Sequence, residues 1–223
     1  MRYKAILFDM DGTLLDTLTD MADAVNHILS VHGWPLRTTE EVRAFVGNGA
    51  RRLMERAVPP EVTGGDFEAV LTEYRDWYQA HNCVATAPYP GIPALLAALA
   101  EAGIKTAVVS NKPDATTKTL AARFFPGLPA FGQRDDVPPK PAPDLVFRAL
   151  ETLGVDAADA IYVGDSEVDV ATARNAGLPL AAVSWGFRGR RALAEAGAAV
   201  IVDAAAELLE VLRQNAIKRG KTR

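Results

Sequence analysis

The sequence predicts an α/β protein built on a doubly wound (Rossmann-like) parallel sheet, with an all-helical module inserted after the first strand. Short apolar runs alternate with stretches of helical periodicity along most of the 223 residues, the pattern of strands joined by crossover helices. Gly103, Gly154 and Gly177 each follow a helical stretch, where a left-handed C-cap is favoured. From about residue 17 to residue 85 the alternation stops and only helical patterns remain.

The apolar runs are short and end in polar residues or glycine, as expected of buried strands. The predicted strands are Tyr3–Phe8, Lys105–Val109, Ala160–Val163, Leu180–Val183 and Ala199–Val202. The predicted helices of the same region are Ile92–Ala102, Asp114–Phe124, Asp144–Leu153, Val168–Ala176 and Ala204–Arg213. Because helices separate the strands, we expect all of these strands to run parallel.

The inserted module is predicted from two amphipathic stretches. Asp20–His32 and Phe67–His81 both carry apolar residues at helical spacing. The segment 86–91 that follows is rich in proline and glycine, which indicates a stiff, turn-rich joint. We therefore predict a core of residues 1–16 plus 86–223 and a helical domain of residues 17–85.

The composition excludes several classes of protein. A net charge of −4 argues against an extended nucleic-acid surface, and no apolar run approaches the length of a membrane span. The single cysteine, Cys83, allows no intrachain disulfide, so we expect a cytoplasmic protein. Neither a nucleic acid nor a membrane is expected as a partner, and the expected assembly is a monomer or homodimer. The basic tail, residues 218–223, is expected to be solvated.

Paired carboxylates follow the first predicted strand, in Asp9-Met10-Asp11-Gly12-Thr13. Two carboxylates so close repel each other unless a cation lies between them or one is protonated. Mg²⁺ suits such oxygen ligands and also screens a phosphate. A turn with solvated acids would fit this segment equally well if it stood alone.

Two later strand ends carry complementary groups. Ser110-Asn111-Lys112 precedes a helix and offers a hydroxyl, amides and a positive helix end to an anion, although helix capping by Ser110 or Asn111 also explains it. Gly164-Asp165 and Asp169 follow another strand, so both carboxylates can face the same edge of the sheet. Lys140 lies between these segments among four prolines, which restrict its loop. Together the segments supply the groups that phosphoryl transfer through an aspartate requires.

These segments resemble the four motifs of the haloacid dehalogenase superfamily of aspartate-based phosphatases, in order and approximate spacing. The resemblance spans the chain and implies that the helical module is a type 1 cap. It implies that Asp9 is the nucleophile and that Asp11 is the acid and then the base. Lys140 would steady Asp9 and the phosphate.

The resemblance also implies binding groups. The phosphate ligands would be Thr13, Ser110 and Asn111. Magnesium would be held by Asp9, the carbonyl of Asp11 and Asp165, with Asp169 in support. Whether Asp169 contacts the metal directly stays open.

Within the superfamily, the segment 46–57 resembles the cap loop of phosphoglycolate phosphatases. Gly47, Asn48 and Gly49 would form a backbone-lined substrate loop, although an interhelical turn also fits this strong turn sequence. Arg51 or Arg52 could pair with a substrate carboxylate, and Arg52 is the one we predict. The expected partner is therefore a small phosphorylated metabolite. The expected activity is magnesium-dependent hydrolysis of a small phosphorylated acid, most specifically 2-phosphoglycolate.

Several alternatives stay open from the sequence. A sugar-phosphate mutase of β-phosphoglucomutase type would use the same core residues. A pyrophosphatase or a phosphatase of broad sugar-phosphate range is also compatible, because the cap sets specificity. A non-enzymatic phosphate-binding protein on the same fold would be expected to have lost an acidic or lysine motif residue, and Asp9, Asp11, Lys140 and Asp165 are all present.

Overall fold

A computed structural model describes residues 3–213 of the chain. Its centre is a six-stranded parallel sheet in the order β5-β4-β1-β6-β7-β8. The strands of this sheet are β1 (Ala5–Phe8), β4 (Lys105–Pro113), β5 (Ala130–Gln133), β6 (Ala160–Gly164), β7 (Leu180–Val183) and β8 (Ile201–Val202). A separate antiparallel pair is formed by β2 (Leu15–Asp16) and β3 (Ala87–Pro88). The predicted doubly wound α/β fold is confirmed.

Ten helices accompany these strands in residues 3–213. Four precede β3: α1 (Leu18–Val31), α2 (Thr39–Phe45), α3 (Gly49–Ala57) and α4 (Gly64–His81). Six follow it: α5 (Ile92–Glu101), α6 (Asp114–Phe124), α7 (Asp144–Leu153), α8 (Glu167–Asn175), α9 (Gly189–Glu195) and α10 (Ala205–Arg213). No helix among these residues is both long and apolar enough to cross a membrane.

Helices cover both faces of the sheet, and its central strand β1 is apolar at every position. On β1, Ile6 and Phe8 join the cluster that includes side chains of α5, α6 and α10. Ala5 and Leu7 point the other way, into the cluster that includes side chains of α7 and α8. Continuous apolar sequence is what a parallel strand buried on both faces requires, so the run Ala5–Phe8 takes the centre of the sheet.

The first four helices form a cap with an apolar core of its own. Its buried cluster draws on all four helices and includes Leu29, Val42, Met54 and Leu71. One residue of the sheet domain, Phe187, also belongs to this cluster. The cap helices lie within the predicted insert, and the exact domain boundaries stay a prediction.

The two chain segments that join cap and core are tied to each other. The β2–β3 pair brings them side by side. The buried carboxylate of Asp20, on α1, accepts hydrogen bonds from the backbone amides of Val84, Ala85 and Thr86 at 3.0, 2.7 and 2.9 Å. The Asp20 side chain thus links α1, at the start of the cap, to residues 84–86, where the chain returns to the core.

Several elements differ from those expected. Strand β5 was not predicted, because Ala130–Gln133 follows a loop and offers few apolar residues to a periodicity search. Strand β4 continues past Val109 to Pro113, with a register shift against β5. The last strand begins at Ile201, not at Ala199. The basic tail, residues 218–223, lies outside the described residues.

Candidate active site

Asp9 and Asp11 lie just beyond the carboxyl end of β1. The Asp9 amide donates to the Val163 carbonyl at 2.9 Å, which extends the pairing of β1 with β6 by one step. Gly12 then turns the chain with φ of +87°, and a Cβ there would lie 2.4 Å from Asp165 Oδ2. Only glycine permits both this backbone conformation and this close approach. The turn at Gly12 therefore allows the segment after β1, which carries Asp9, to lie in close contact with Asp165, which follows β6.

Lys140 joins two carboxylates in the buried part of this site. Its Nζ lies 2.9 Å from Asp9 Oδ1 and 2.8 Å from Asp169 Oδ1, and it also donates to the Tyr162 hydroxyl at 3.1 Å. Burial disfavours the charged ammonium, but Asp169 and Asp9 outweigh it and hold the pKa of Lys140 well above its ordinary value. Lys140 is thus a buried, permanently charged partner for Asp9.

Opposing electrostatic effects determine the pKa of Asp9. Burial raises the pKa of Asp9, Lys140 lowers it, and Asp169 and Asp11 raise it again, with a net result of about 7. A buried carboxylate between one cation and two other acids therefore keeps a proton far above its usual range. A further cation beside Asp9 would favour its ionised form.

Asp169 is held in place by the start of α8. Its Oδ2 accepts from the Ser166 hydroxyl at 2.6 Å and from the amides of Asp165 and Ser166 at 3.2 and 3.1 Å, while Ser166 caps the helix in return. A Cβ on Gly164 would lie 2.3 Å from the Asp169 carboxyl carbon. Asp169 is therefore a fixed acceptor that orients Lys140.

Asp165 completes a cluster of three buried carboxylates. One oxygen each of Asp9, Asp165 and Asp169 lie within 4.8 Å of one another. Burial, Asp169 and Asp9 raise the pKa of Asp165 well above its ordinary value, although the Phe187 amide and the Thr13 hydroxyl donate to it at 2.7 and 3.1 Å. With all three carboxyls ionised, the cluster would hold more negative charge than Lys140 balances. An all-oxygen donor set with excess negative charge fits a hard divalent cation.

Ser110 and Asn111 lie near the end of β4. Ser110 is buried and lines the cavity described below. The Asn111 side chain instead holds the Lys140 backbone, accepting from its amide at 2.7 Å and donating to its carbonyl at 3.0 Å. It also donates to the Gly47 carbonyl at 3.4 Å. Asn111 thus positions Lys140 and touches the cap loop.

Lys112 is a site residue to which the sequence assigned no role. Its Nζ donates to both carboxylate oxygens of Asp11 at 2.9 and 3.0 Å and lies 4.7 Å from the centre of the Tyr78 ring. The Thr17 hydroxyl donates to Asp11 as well, at 2.7 Å. The two-residue alternation from Ser110 could have indicated that Lys112 faces the same side.

A cavity of about 350 Å³ separates the cap from these strand ends. From the predicted site it is lined by Asp9, Asp11, Gly47, Gly49, Ser110, Asn111, Lys140 and Asp165. Four other predicted residues, Thr13, Asn48, Arg52 and Asp169, do not line it. Thr13 donates to Asp165, and Arg52, with 65% of its side chain exposed, pairs with Glu55. Arg51 pairs with Glu68 on the cap surface.

Arg188 connects the core to the cap at the edge of the cavity, and the sequence did not single it out. Its guanidinium donates to the carbonyls of Arg43, at 2.9 Å, and Val46 at the end of α2. It also pairs with Glu167 of the core at 2.9 Å. A cation suits the negative end of a helix, so Arg188 holds the cap loop over the strand ends.

Comparison with known proteins agrees with this geometry. Residues 6–183 match the family of haloacid dehalogenase-like hydrolases. N-acetylmuramic acid 6-phosphate phosphatase of Pseudomonas aeruginosa is 36% identical over 95% of this chain and 96% of its own. The plasmid-encoded phosphoglycolate phosphatase of Cupriavidus necator is 37% identical over 89% of this chain and 88% of its own.

A solved structure shares the architecture. A protein of Lactobacillus delbrueckii subsp. bulgaricus, proposed to be a phosphoglycolate phosphatase, superimposes with a TM-score of 0.90 at 37% identity, covering 95% of this chain and 99% of its own. The family match includes the strand ends that carry Asp9, Ser110 and Asp165 and the loop that carries Lys140. The chain therefore belongs to the haloacid dehalogenase-like hydrolase family and, with phosphatases as relatives over nearly its whole length, is a phosphoric monoester hydrolase.

Proposed function

We propose that this phosphatase is a magnesium-dependent phosphomonoesterase that hydrolyses a small phosphorylated acid, with 2-phosphoglycolate the leading substrate and glycolate and phosphate the products. The observation that supports the reaction is the placement of Asp9. It lies 2.9 Å from a buried lysine, beside a second carboxylate at the floor of a cap-covered cavity. The carboxylate class rests on the phosphoglycolate phosphatases among the relatives.

The reaction follows from the two carboxylates. An Asp9 oxygen attacks phosphorus, the bond from phosphorus to the ester oxygen breaks, and Asp11, in its carboxylic acid form, donates its proton to the departing oxygen. Asp11, now a carboxylate, takes a proton from a water whose oxygen attacks the phosphoryl group. The bond from phosphorus to Asp9 breaks, and phosphate leaves. The Lys140 ammonium stabilises the charge on Asp9 and on the phosphoryl oxygens throughout.

The residues fit magnesium. Asp9, Asp165 and the backbone carbonyl of Asp11 would hold the ion. Asp169, whose oxygens already accept from Lys140, Ser166 and backbone amides, would support them. When bound, the ion supplies positive charge beside the transferring phosphoryl group. The observation that favours a cation here is the buried cluster itself, in which one oxygen each of Asp9, Asp165 and Asp169 lie within 4.8 Å of one another.

One observation favours a second substrate. The cavity of about 350 Å³ is larger than a two-carbon acid with one phosphate needs, and the Pseudomonas aeruginosa relative is named for a phosphorylated sugar acid. A larger phosphorylated sugar acid is therefore the alternative substrate. A mutase, a pyrophosphatase and a phosphatase of broad range are tested in the same experiment.

The test is phosphate release from 2-phosphoglycolate, N-acetylmuramic acid 6-phosphate, simple sugar phosphates and pyrophosphate, with magnesium and with a chelator. We expect magnesium-dependent release that is fastest from 2-phosphoglycolate. Asp9→Asn should abolish it, whereas Asp23→Asn, at an exposed position on α1, should not. Level activity across the panel would remove the substrate proposal, and no release from any ester by the folded protein would contradict the reaction.

We also propose that the enzyme acts in a reducing compartment such as the cytoplasm, because its single cysteine, Cys83, is unpaired. The assembly, monomer or homodimer, stays a prediction that sedimentation would test.

A further inference from the structure

Four basic side chains line the cavity: Arg75, Lys112, Lys140 and Arg188. Lys140 is committed to Asp9 and Asp169. Arg188 is committed to Glu167 and to the carbonyls at the end of α2. Arg75 is exposed on α4, at the outer part of the cavity. Lys112 is thus the basic residue whose buried charge faces the reacting groups without a role in the reaction proposed above.

Lys112 is buried and forms an ion pair with a single carboxylate among the described residues. Only 4% of its side chain is exposed, so water screens the ammonium poorly. Within residues 3–213, the carboxylate paired with it is that of Asp11, and the Tyr78 ring supports it from the cap. An ammonium carries three donors. A second anion entering the cavity could therefore share or take over this contact.

The position of Lys112 relative to Asp11 defines which part of a substrate it can meet. In the reaction proposed above, the ester oxygen lies within hydrogen-bond distance of the Asp11 carboxylate, because Asp11 protonates it. The Lys112 ammonium lies 2.9 and 3.0 Å from the same carboxylate. The atoms directly attached to the ester oxygen therefore come next to Lys112.

We propose that Lys112 is the specificity-determining residue that binds the substrate carboxylate, and that the substrate is a phosphorylated α-hydroxy acid. This rests on the proposed function, since it uses the place of the ester oxygen at Asp11. In 2-phosphoglycolate a single methylene separates the ester oxygen from the carboxylate, so both groups fit side by side at Asp11 and Lys112. In a sugar acid phosphorylated at its 6-position the acid group is many bonds away and cannot reach Lys112 while the ester oxygen is at Asp11.

The same geometry explains why the arginines of the cap are not needed for the carboxylate. Arg51 and Arg52 are paired with Glu68 and Glu55 on the cap surface and do not line the cavity. Water screens a buried ammonium less than an exposed guanidinium, so the attraction between Lys112 and a substrate carboxylate is stronger.

The test compares 2-phosphoglycolate with 2-hydroxyethyl phosphate, in which a neutral alcohol replaces the carboxylate. We expect wild-type kcat/KM to favour 2-phosphoglycolate by roughly 10- to 100-fold, the size of one charge-assisted hydrogen bond. Lys112→Met should bring the ratio close to one, mainly through a higher KM for 2-phosphoglycolate. Lys112→Arg should keep part of the preference. Lys118→Met, on the exposed surface of α6, should leave the ratio unchanged.

A binding measurement makes the result independent of turnover. In an Asp9→Asn background with magnesium, added Lys112→Met should weaken calorimetric binding of 2-phosphoglycolate by roughly 10- to 100-fold and leave inorganic phosphate binding unchanged. Equal loss with both esters, or with both ligands, would show that Lys112 acts through Asp11 or the fold and would overturn the proposal. Wild-type enzyme that hydrolyses the two esters equally would also overturn it, while leaving the phosphatase reaction intact.

Discussion

Lys140 shows how one buried side chain can act on two carboxylates. Only 3% of it is exposed, and it balances part of the charge of Asp9 and Asp169 at once. The sequence indicated its charge and its proline-rich loop, but not that Asn111 would hold its backbone on both sides. A contact between residues so far apart depends on the order of strands in the sheet, which local sequence does not encode.

Lys140→Met should be strongly destabilising and inactive. The change leaves two buried carboxylates without their cation, which typically costs about 3–5 kcal/mol of unfolding free energy. Urea unfolding and phosphate release would measure the two effects. Lys4→Met, which breaks an ion pair with Asp159 in which the lysine side chain is 72% exposed, should change the free energy of unfolding little. Equal stability of the two variants would show that the buried carboxylates are neutral in the folded protein.

At the scale of elements, the strongest sequence patterns corresponded to real helices. The amphipathic stretches Asp20–His32 and Phe67–His81 lie largely within α1 and α4. The short edge strand β5 and the two-residue strands β2 and β3 were missed. A strand of two to four residues is stabilised by its neighbours and not by its own periodicity, so its sequence carries little signal.

Asp20 stabilises the hinge between cap and core, which consists of the two chain segments that join them. Its carboxylate accepts from three consecutive amides, so Asp20→Ala leaves Val84, Ala85 and Thr86 without that acceptor. We expect a loss of about 2–4 kcal/mol and faster amide hydrogen exchange at residues 84–86. Chemical unfolding and exchange mass spectrometry would test this. Asp23→Ala, on the exposed side of α1, is the matched control and should change neither measurement; an equally small effect of both variants would contradict the hinge role.

For the whole molecule, the buried acids predict an unusual dependence of stability on pH. Burial raises the pKa of Asp9 to about 7 from an ordinary value of 3.8, and raises that of Asp165 as well. The folded state then binds more protons than the unfolded chain between these values, so these groups make the free energy of unfolding fall as pH rises from about 4 through about 7. A bound divalent cation would remove this loss.

The measurement is the melting temperature in chelator and in magnesium across this pH range. We expect the stabilisation by magnesium to grow as pH rises toward 8, because the ion offsets the charge of Asp9 and Asp165. Asp165→Asn should melt at a higher temperature than wild type in chelator near pH 8 and should lose most of the magnesium effect. A melting temperature that Asp165→Asn lowers under these conditions would contradict the account.

The sequence by itself determined the parallel α/β core, the helical insert and the group of residues brought together at the strand ends. It could do so because periodicity reports local geometry, and because parallel strands present their carboxyl ends on one edge. The tertiary structure alone decided the partners of these residues. Lys112 meets Asp11, 101 positions away, and Arg188 meets the cap loop, 142 positions away. Such contacts depend on the order β4-β1-β6-β7 and on how the cap packs, which are properties of the whole chain.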